Sequence, residues 1–300
     1  MRLLYTGPSG FVGRNLAEVF AGRYELFPFS LNRDDWTGKW PNDVDVVVHL
    51  AGKAHDVKKV ARPEDYIEIN TNLTKRVFTE FLASSARDFI FLSSVKAIAD
   101  TVENSPLTEE APPRPLTPYG RSKLQAEEYL LSKALPPDKR LFILRPCMIH
   151  GPGNKGNLNL LYSVVKKGIP YPLGAFTNLR SFLSIGNLLF VIESIINKSE
   201  IPSGVYNVAD DTPLSTTEVI KVIGEVSGKK VRIYSPNKGL IRALARIGDI
   251  LHLPFNSERL KKMTESYIVS NEKIKRAIDI ESLPISSREG LKNTIKSFDI

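Results

Sequence analysis

The stretch Arg2-Leu3-Leu4-Tyr5-Thr6-Gly7-Pro8-Ser9-Gly10-Phe11-Val12-Gly13-Arg14-Asn15-Leu16 decides the fold. A short apolar run over Arg2–Tyr5 reads as a strand, and a Gly-x-x-Gly-x-x-Gly turn leads from it into a helix. Glycines at 7, 10 and 13 let the backbone turn tightly and approach a pyrophosphate, whose charge the N–H groups and dipole of the helix start would meet. A bare glycine triplet would be only a turn. The strand–turn–helix context makes Gly7, Ser9, Gly10, Phe11, Val12 and Gly13 a candidate dinucleotide cradle.

Working outward, short β-branched or aromatic runs alternate with longer amphipathic stretches, the pattern of a parallel sheet covered by helices. Strands are expected at Tyr24–Phe29, Val44–Leu50, Phe89–Ser93 and Leu141–Arg145, with helices at Phe11–Ala21, Pro63–Ala86 and Pro118–Lys133. In the second helix Tyr66, Ile69, Leu73, Val77, Phe78, Phe81 and Leu82 recur at helical spacing and read as a buried stripe. The fold class is therefore α/β, a Rossmann doubly wound parallel sheet. After Gly151-Pro152-Gly153 the elements shorten, and residues 151–300 read as a smaller α/β substrate-binding lobe, interleaved with a dinucleotide-binding domain at 1–150. That lobe is expected to hold helices near Leu158–Lys167, Gly186–Asn197, Thr216–Ser227 and Leu240–Ile250. A strand at Gly204–Val208 and terminal helices near Asn271–Ala277 and Ser287–Ser297 complete it. Five prolines between Pro106 and Pro118 mark an exposed loop.

Composition narrows the function classes. No run of about 18 apolar residues could span a bilayer and no signal peptide precedes Met1-Arg2-Leu3-Leu4, so a cytoplasmic protein without a membrane span is expected. The single cysteine, Cys147, lies in an apolar run and reads as packing, which leaves neither a disulfide framework nor a cysteine metal site, and no metal is expected. A formal charge of +8 would suit nucleic acid, but the basic residues are scattered among acids, so no nucleic-acid partner is expected. A mild positive field helps any diphosphate-bearing ligand.

The second strand normally ends in an acid that accepts from the ribose 2′-hydroxyl of NAD. Here it ends Phe27-Pro28-Phe29-Ser30-Leu31-Asn32-Arg33, and Arg33 could pair with a 2′-phosphate, which favours NADP(H) over NAD. Asp34 and Asp35 follow closely, and Arg33 as a plain surface residue stays open.

Tyr119-Gly120-Arg121-Ser122-Lys123 places a phenol and an ammonium four residues apart on one helical face. A phenol titrating near 10 is a poor base at neutral pH, and a nearby ammonium favours its phenolate. The spacing alone occurs by chance in many chains. Phe91-Leu92-Ser93-Ser94-Val95, however, brings hydroxyls to the carboxyl edge of the sheet, where ligands of open α/β folds bind. Ser94 would hold a sugar oxygen while Tyr119 exchanges its proton and a nicotinamide exchanges hydride. His49 ends another strand on that edge and reads as a packed or hydrogen-bonded residue near the cofactor rather than a base.

Together these segments resemble the extended short-chain dehydrogenase/reductases, in particular the NAD-dependent epimerase/dehydratase family. The resemblance runs over nearly the whole chain: Thr6 to Gly13, His49-Leu50-Ala51-Gly52, Asn70-Thr71-Asn72-Leu73-Thr74, Ser93-Ser94, Tyr119 with Lys123, and Arg145-Pro146 leading to His150-Gly151-Pro152-Gly153. It implies Ser94, Tyr119 and Lys123 as the catalytic set, with Lys123 also on the nicotinamide ribose. Leu50, Ala51, Gly52, Asn70, Ser93 and Tyr119 would line the NAD(P) site. Asn178-Leu179-Arg180-Ser181-Phe182 is similar to the family segment in which an arginine meets a nucleotide diphosphate, so Arg180 is expected on the substrate, as are Asn157 and, more loosely, Arg259. A homodimer is one assembly the resemblance allows, through Pro63–Ala86 and Pro118–Lys133.

Departures narrow the reaction. Dehydratases of this family carry an Asp-Glu pair after the active hydroxyl residue, whereas Val95 and Lys96 stand here. The strand normally preceding the His-Leu-Ala-Gly strand is shortened to Trp36–Asp43. Gly151 to Asn157, followed by Pro170-Tyr171-Pro172-Leu173-Gly174, resembles a subgroup of bacterial surface-polysaccharide enzymes. That subgroup implies a 4-epimerase or 4-ketoreductase acting on a UDP-hexose or UDP-N-acetylhexosamine. A carbonyl reductase for a non-nucleotide substrate and a non-catalytic NADP-sensing scaffold are the alternatives; Arg180 speaks against the first, and the complete Ser94, Tyr119, Lys123 set against the second.

Overall fold

The computed structural model describes residues 1–31, 36–41, 43–54, 62–102, 105–154, 156–253 and 255–299, and not the side chains of residues 37, 157 and 299. Strand β1 (Arg2–Thr6) leads through the glycine turn into α1 (Phe11–Phe20), followed by β2 (Glu25–Phe29) and β3 (Val46–His49). Helix α2 (Pro63–Tyr66) passes through a π-helical turn at Ile67–Asn72 into α3 (Leu73–Ala83). Next come β4 (Asp88–Leu92), α4 (Pro118–Leu131), β5 (Arg140–Pro146) and the short β6 (Met148–His150). Beyond them lie α5 (Asn157–Lys166), β7 (Leu179–Arg180), β8 (Phe182–Ser184), α6 (Ile185–Asn197), β9 (Gly204–Val208) and β10 (Leu214–Ser215). The chain closes with α7 (Thr216–Ser227), α8 (Lys238–Ile250), α9 (Ser257–Thr264), α10 (Glu272–Ala277) and α11 (Ser287–Lys296).

Six strands form one parallel sheet in the order β2-β1-β3-β4-β5-β9. Strand residues alternate between two apolar layers, as a sheet covered on both faces requires. Leu3, Tyr5, Val46, Val48, Ile90 and Phe142 pack on one side with Leu16 and Phe20 of α1 and Leu188 and Ile192 of α6. Leu4, Val47, Phe89, Phe91 and Ile143 pack on the other with Val77, Phe78 and Phe81 of α3 and Ala126 and Leu130 of α4. A separate apolar cluster joins Leu158 and Tyr162 of α5, Ile220 and Ile223 of α7, Ile241 of α8 and Leu291 of α11, forming the smaller lobe.

Two features depart from the sequence reading. The strand Gly204–Val208, expected inside the smaller lobe, is the sixth strand of the main sheet and pairs with β5. The expected single helix over Pro63–Ala86 is interrupted by the π-helical turn, which ends one register of apolar spacing and starts another. The Pro106–Pro118 loop is mostly exposed, as expected, and is anchored as well: Leu107 is buried and bridges to Val269, Ala99 bridges to Arg114, and Asn207 N–H donates to the Glu109 carboxylate at 2.7 Å. Among the described residues, 36–43 hold only a 3₁₀ turn at Thr37–Lys39 where a further strand would stand, with Trp36 and Trp40 buried against Phe29. Also among the described residues, no helix is long and apolar enough to cross a membrane.

Candidate active site

From β1 the chain moves outward to β2, then returns to place β3 on the other flank of β1. This reversal opens a crevice at the carboxyl ends of β1 and β3, where open α/β sheets bind ligands. Thr6, the last residue of β1, holds its floor. Its hydroxyl accepts from the N–H groups of Leu50 (3.1 Å) and Ala51 (3.0 Å) and pairs with His49 Nδ1 at 2.7 Å. Thr74 Oγ1 lies 2.9 Å from His49 Nε2 and donates to the Asn70 carbonyl. The Thr6 oxygen already accepts twice and the Thr74 proton is spent on Asn70, so Thr6 donates to Nδ1 and His49 donates from Nε2. Burial, reinforced by the Lys123 charge, pushes His49 down to about 3. The ring is a neutral strut with both nitrogens used, not a base.

The glycine turn is shaped by contact. Gly7 takes φ +70°, and a Cβ there would lie 3.0 Å from Ala51 N. A Cβ on Gly13 would strike the Gly7 carbonyl oxygen and approach Pro8 Cα to 3.0 Å. Gly10 N–H donates to Gly7 O at 3.0 Å, and no side chain caps the start of α1. A cradle of backbone facing an uncapped helix start fits a pyrophosphate. Gly52 extends it, since a Cβ there would sit 3.1 Å from Asn70 Oδ1 and 3.2 Å from Lys123 Nζ.

Asn70 belongs to the π-helical turn and is fully buried. Its amide clamps the chain after β3: Oδ1 accepts from Lys53 N–H at 2.8 Å, while Nδ2 donates to Lys53 O at 3.0 Å and to Ser122 Oγ at 3.0 Å. Lys123 is 4% exposed; its ammonium donates to the Leu92 carbonyl at 2.8 Å and lies over the Phe91 ring. Burial pushes Lys123 down to about 8, while Glu127 pulls the other way.

Ser94 and Tyr119 are brought together by the packing of two turns. Thr117 caps α4 by accepting from Gly120 N–H at 3.2 Å, and Pro118 opens the helix. Gly120 has no room for a Cβ against the Lys96 carbonyl and Pro115, so the first turn of α4 lies on the turn following Ser94. Asp100 ties the same elements, its Oδ2 accepting from Leu116 N–H at 2.7 Å while its carbonyl accepts from Lys96 Nζ at 2.8 Å. Burial pushes the Tyr119 phenol above its ordinary value, and the neighbouring Ser94 hydroxyl pulls it down. The sequence reading expects Lys123 to acidify Tyr119; here the Lys123 ammonium is directed to Leu92 O, and the acidifying contact is Ser94.

Beneath this trio lies a network that sequence reasoning did not find. Ser93 Oγ donates to Glu127 Oε1 in a very short bond, and Arg145 grips the same carboxylate with Nε at 3.0 Å and Nη2 at 2.6 Å from Oε2. Its signal is the continued i, i+4, i+8 spacing of Tyr119, Lys123 and Glu127.

The expected substrate residues are spread differently. Arg180 Nε donates to the Glu265 carbonyl at 3.3 Å and Nη2 closely to the Lys262 carbonyl, so its fork holds the end of α9. It bridges through the backbone to Tyr267, whose hydroxyl reaches Ala99 O at 2.7 Å and whose ring carries Lys96 Nζ at 4.5 Å. Arg180 thus lies within electrostatic reach of Lys96, two residues past Ser94; burial pushes Lys96 down, Asp100 pulls it up and Arg180 lowers it further. Beyond Arg180 a groove of about 370 Å³ runs between α8 and α9, lined by Phe176, Arg242, Arg246 and Lys261 among others. Arg259 is exposed on α9, Asn157 is the first residue of α5, and Arg33 lies outside the described residues. Among the described residues no three His, Cys, Asp or Glu side chains could hold a metal ion.

Residues 3–209 match the model of the NAD dependent epimerase/dehydratase family. The chain belongs to this family. A UDP-glucose 4-epimerase of Vibrio cholerae is 33% identical over 73% of this chain and 74% of that protein. An N-acetyl-alpha-D-glucosaminyl-diphospho-ditrans,octacis-undecaprenol 4-epimerase of Escherichia coli O157:H7 is 28% identical over 91% of this chain and 84% of its own. A GDP-6-deoxy-D-mannose reductase of Pseudomonas aeruginosa is 27% identical over 82% and 86%. Among solved structures, RMD from Pseudomonas aeruginosa complexed with NADPH superposes with a TM-score of 0.76 at 22% identity, covering 99% of this chain and 98% of that one. A UDP-glucuronic acid 4-epimerase from Bacillus cereus in complex with NAD gives 0.77 at 18% identity, covering 100% and 96%. The fold is that of the extended short-chain dehydrogenase/reductases, and the chain is an NAD(P)-dependent enzyme of the epimerase/reductase type.

Proposed function

We propose that this enzyme acts at C4 of a hexose carried on a nucleoside diphosphate, UDP-hexose or UDP-N-acetylhexosamine, as a 4-epimerase or 4-ketoreductase. The observation that carries the reading is the convergence of Tyr119, Ser94 and Lys123 on the crevice beside the glycine turn. Gly7 to Gly13, Leu50 to Gly52, Asn70, Ser93 and Lys123 hold NAD(P), which when bound supplies hydride exchange with the sugar carbon. Tyr119 Oη takes or returns the proton of the C4 hydroxyl, and Ser94 Oγ holds that same oxygen. Lys123 supplies positive charge beside the crevice, and Arg180 with Lys96 faces the diphosphate. Residues 1–150 mainly hold the dinucleotide and 151–300 the sugar diphosphate, with Asn157 and Arg259 at its margin. Arg33 makes NADP(H) the preferred dinucleotide, and a homodimer pairs through residues 63–83 and α4.

Incubation with UDP-N-acetylglucosamine, and separately with a UDP-4-keto-6-deoxy sugar and NADPH, tests this proposal. The C4 epimer without net NADPH use makes it an epimerase, and stoichiometric NADPH oxidation a reductase. Inertness toward both rejects the nucleotide-sugar assignment. Arg33→Ala should weaken NADP more than NAD, and equal loss rejects the preference.

A second reading is favoured by the Escherichia coli relative, whose name gives its sugar a polyprenyl diphosphate carrier. The reacting end would be the same, with a lipid in place of the nucleoside beyond Arg180. Offering N-acetylglucosaminyl diphosphate on a polyprenol separates the readings, since turnover of that substrate and not of the nucleotide sugar selects the second.

A further inference from the structure

Helix α8 presents three faces. Ile241, Ala245 and Gly248, spaced i, i+4, i+7, are buried against the smaller lobe. Leu240, Leu244, Ile247 and Leu251, spaced i, i+4, i+7, i+11, form a second apolar stripe about 100° away that points to solvent. Leu244 and Ile247 are each 48% exposed, and Ile250 beside them is 75% exposed. A helix that needed only to cover its own core would carry one such stripe. The third face is basic, with Arg242 and Arg246 one turn apart.

Charge is concentrated on the same edge. Residues 238–264 contain six Lys and Arg against two acids, a net +4 within a chain of +8. Both acids are engaged locally: Asp249 accepts from Ser257 N–H at 3.0 Å and Glu258 pairs with Lys262 at 2.5 Å. The apolar stripe continues past the helix into exposed Leu253 and Phe255. Gly248 leaves no room for a Cβ beside the Phe255 carbonyl, so that turn is packed closely against α8.

We infer that α8 and the turn to α9 form a bilayer-docking edge, which lies on an anionic membrane surface. The leucine and isoleucine side chains enter the acyl boundary while Arg242, Arg246 and the lysines of α9 meet lipid phosphates. An apolar stripe bordered by arginine and lysine is complementary to that surface in both respects. A second copy would bring the same +4 edge against itself, which charge repulsion opposes. The groove between α8 and α9, lined by Arg242, Arg246 and Lys261, opens at this same edge. The inference rests on this surface alone and does not depend on which glycosyl diphosphate the site accepts.

Co-sedimentation of the full chain with phosphatidylcholine vesicles, with and without about one-third phosphatidylglycerol, tests it. Binding is expected only to the anionic vesicles and should weaken at high salt. At about 1 kcal/mol per basic residue, R242Q/R246Q should lower the partition coefficient on the order of 30-fold. L244N/I247N should lower it as well while circular dichroism stays unchanged. Failure to bind anionic vesicles, or binding by both variants as strong as that of the wild-type chain, overturns the inference. So does a sedimentation-velocity dimer that L244N/I247N dissociates.

Discussion

Glu127, about two helical turns beyond Tyr119 on α4, forms a buried ion pair with Arg145 of β5, whose Nη2 lies 2.6 Å from its Oε2. Their side chains are 1% and 7% exposed, and the carboxylate also accepts from Ser93. Removing one partner of such a pair leaves the other charge buried, which costs about 3–5 kcal/mol. Glu127→Ala should therefore lose roughly that much in urea unfolding. Because Glu127 holds Lys123 up, Glu127→Gln should also move the Lys123 titration below about 8. A variant with native stability and an unmoved pH profile would refute this positioning role.

The Lys123 charge sets an alkaline limit. A folded value of about 8 against the ordinary 10.5 means that the ammonium is present below pH 8 and lost above it. The positive charge that it holds at the Leu92 carbonyl beside the crevice fades as pH rises through that value. The kcat/KM profile should fall on an alkaline limb near 8, and Lys123→Met should be slower by a hundredfold or so, in the range of acid–base contributions, and lack the limb. An intact limb in the variant would assign it elsewhere.

His49 makes the fold acid-sensitive. It titrates near 3 when folded against 6.5 ordinarily, so the unfolded chain binds more protons between those values. The contribution is complete above 6.5 and is lost as pH falls toward 3, at about 1.4 kcal/mol per pH unit. His49→Asn, which keeps an acceptor toward Thr6, should show a shallower drop in urea midpoint from pH 7 to pH 5. An equal drop in both proteins would remove His49 as the cause.

Gly13 tests the cradle. Adding one methyl where the Gly7 carbonyl and Pro8 Cα already approach must push α1 away from the turn. Gly13→Ala should cost about 1–3 kcal/mol in stability, as overpacking does, and weaken NAD(P)H binding measured by fluorescence. Unchanged affinity would contradict the assignment of the pyrophosphate to this turn.

Much of the architecture is legible in the sequence because its signals are local. The glycine turn, the apolar runs of β1, β3, β4 and β5, and the Tyr119–Lys123 spacing each announce themselves within a few residues. What stays hidden is non-local. Nothing near Gly204 says that it pairs with Phe142, 62 positions earlier, across the whole β6–α6 excursion. Nothing near Arg180 says that Lys262 and Glu265, more than 80 residues away, supply carbonyls to its fork. The π-helical turn escapes because the apolar residues on either side keep near-helical spacing, although it is the device that aims Asn70 at Lys53 and Ser122. Helix α9 was missed because it is short and polar, with only Leu260 buried.

The most direct test concerns the Tyr119 hydroxyl. Tyr119→Phe removes one oxygen from a ring that stays packed beside Tyr66, so the fold and the glycine cradle are untouched. Turnover of the nucleotide sugar should fall by a factor on the order of 10²–10⁴, while NAD(P)H affinity stays within about twofold. Turnover at the wild-type rate would contradict proton transfer by Tyr119 and, with it, the assignment of this crevice as the reacting centre.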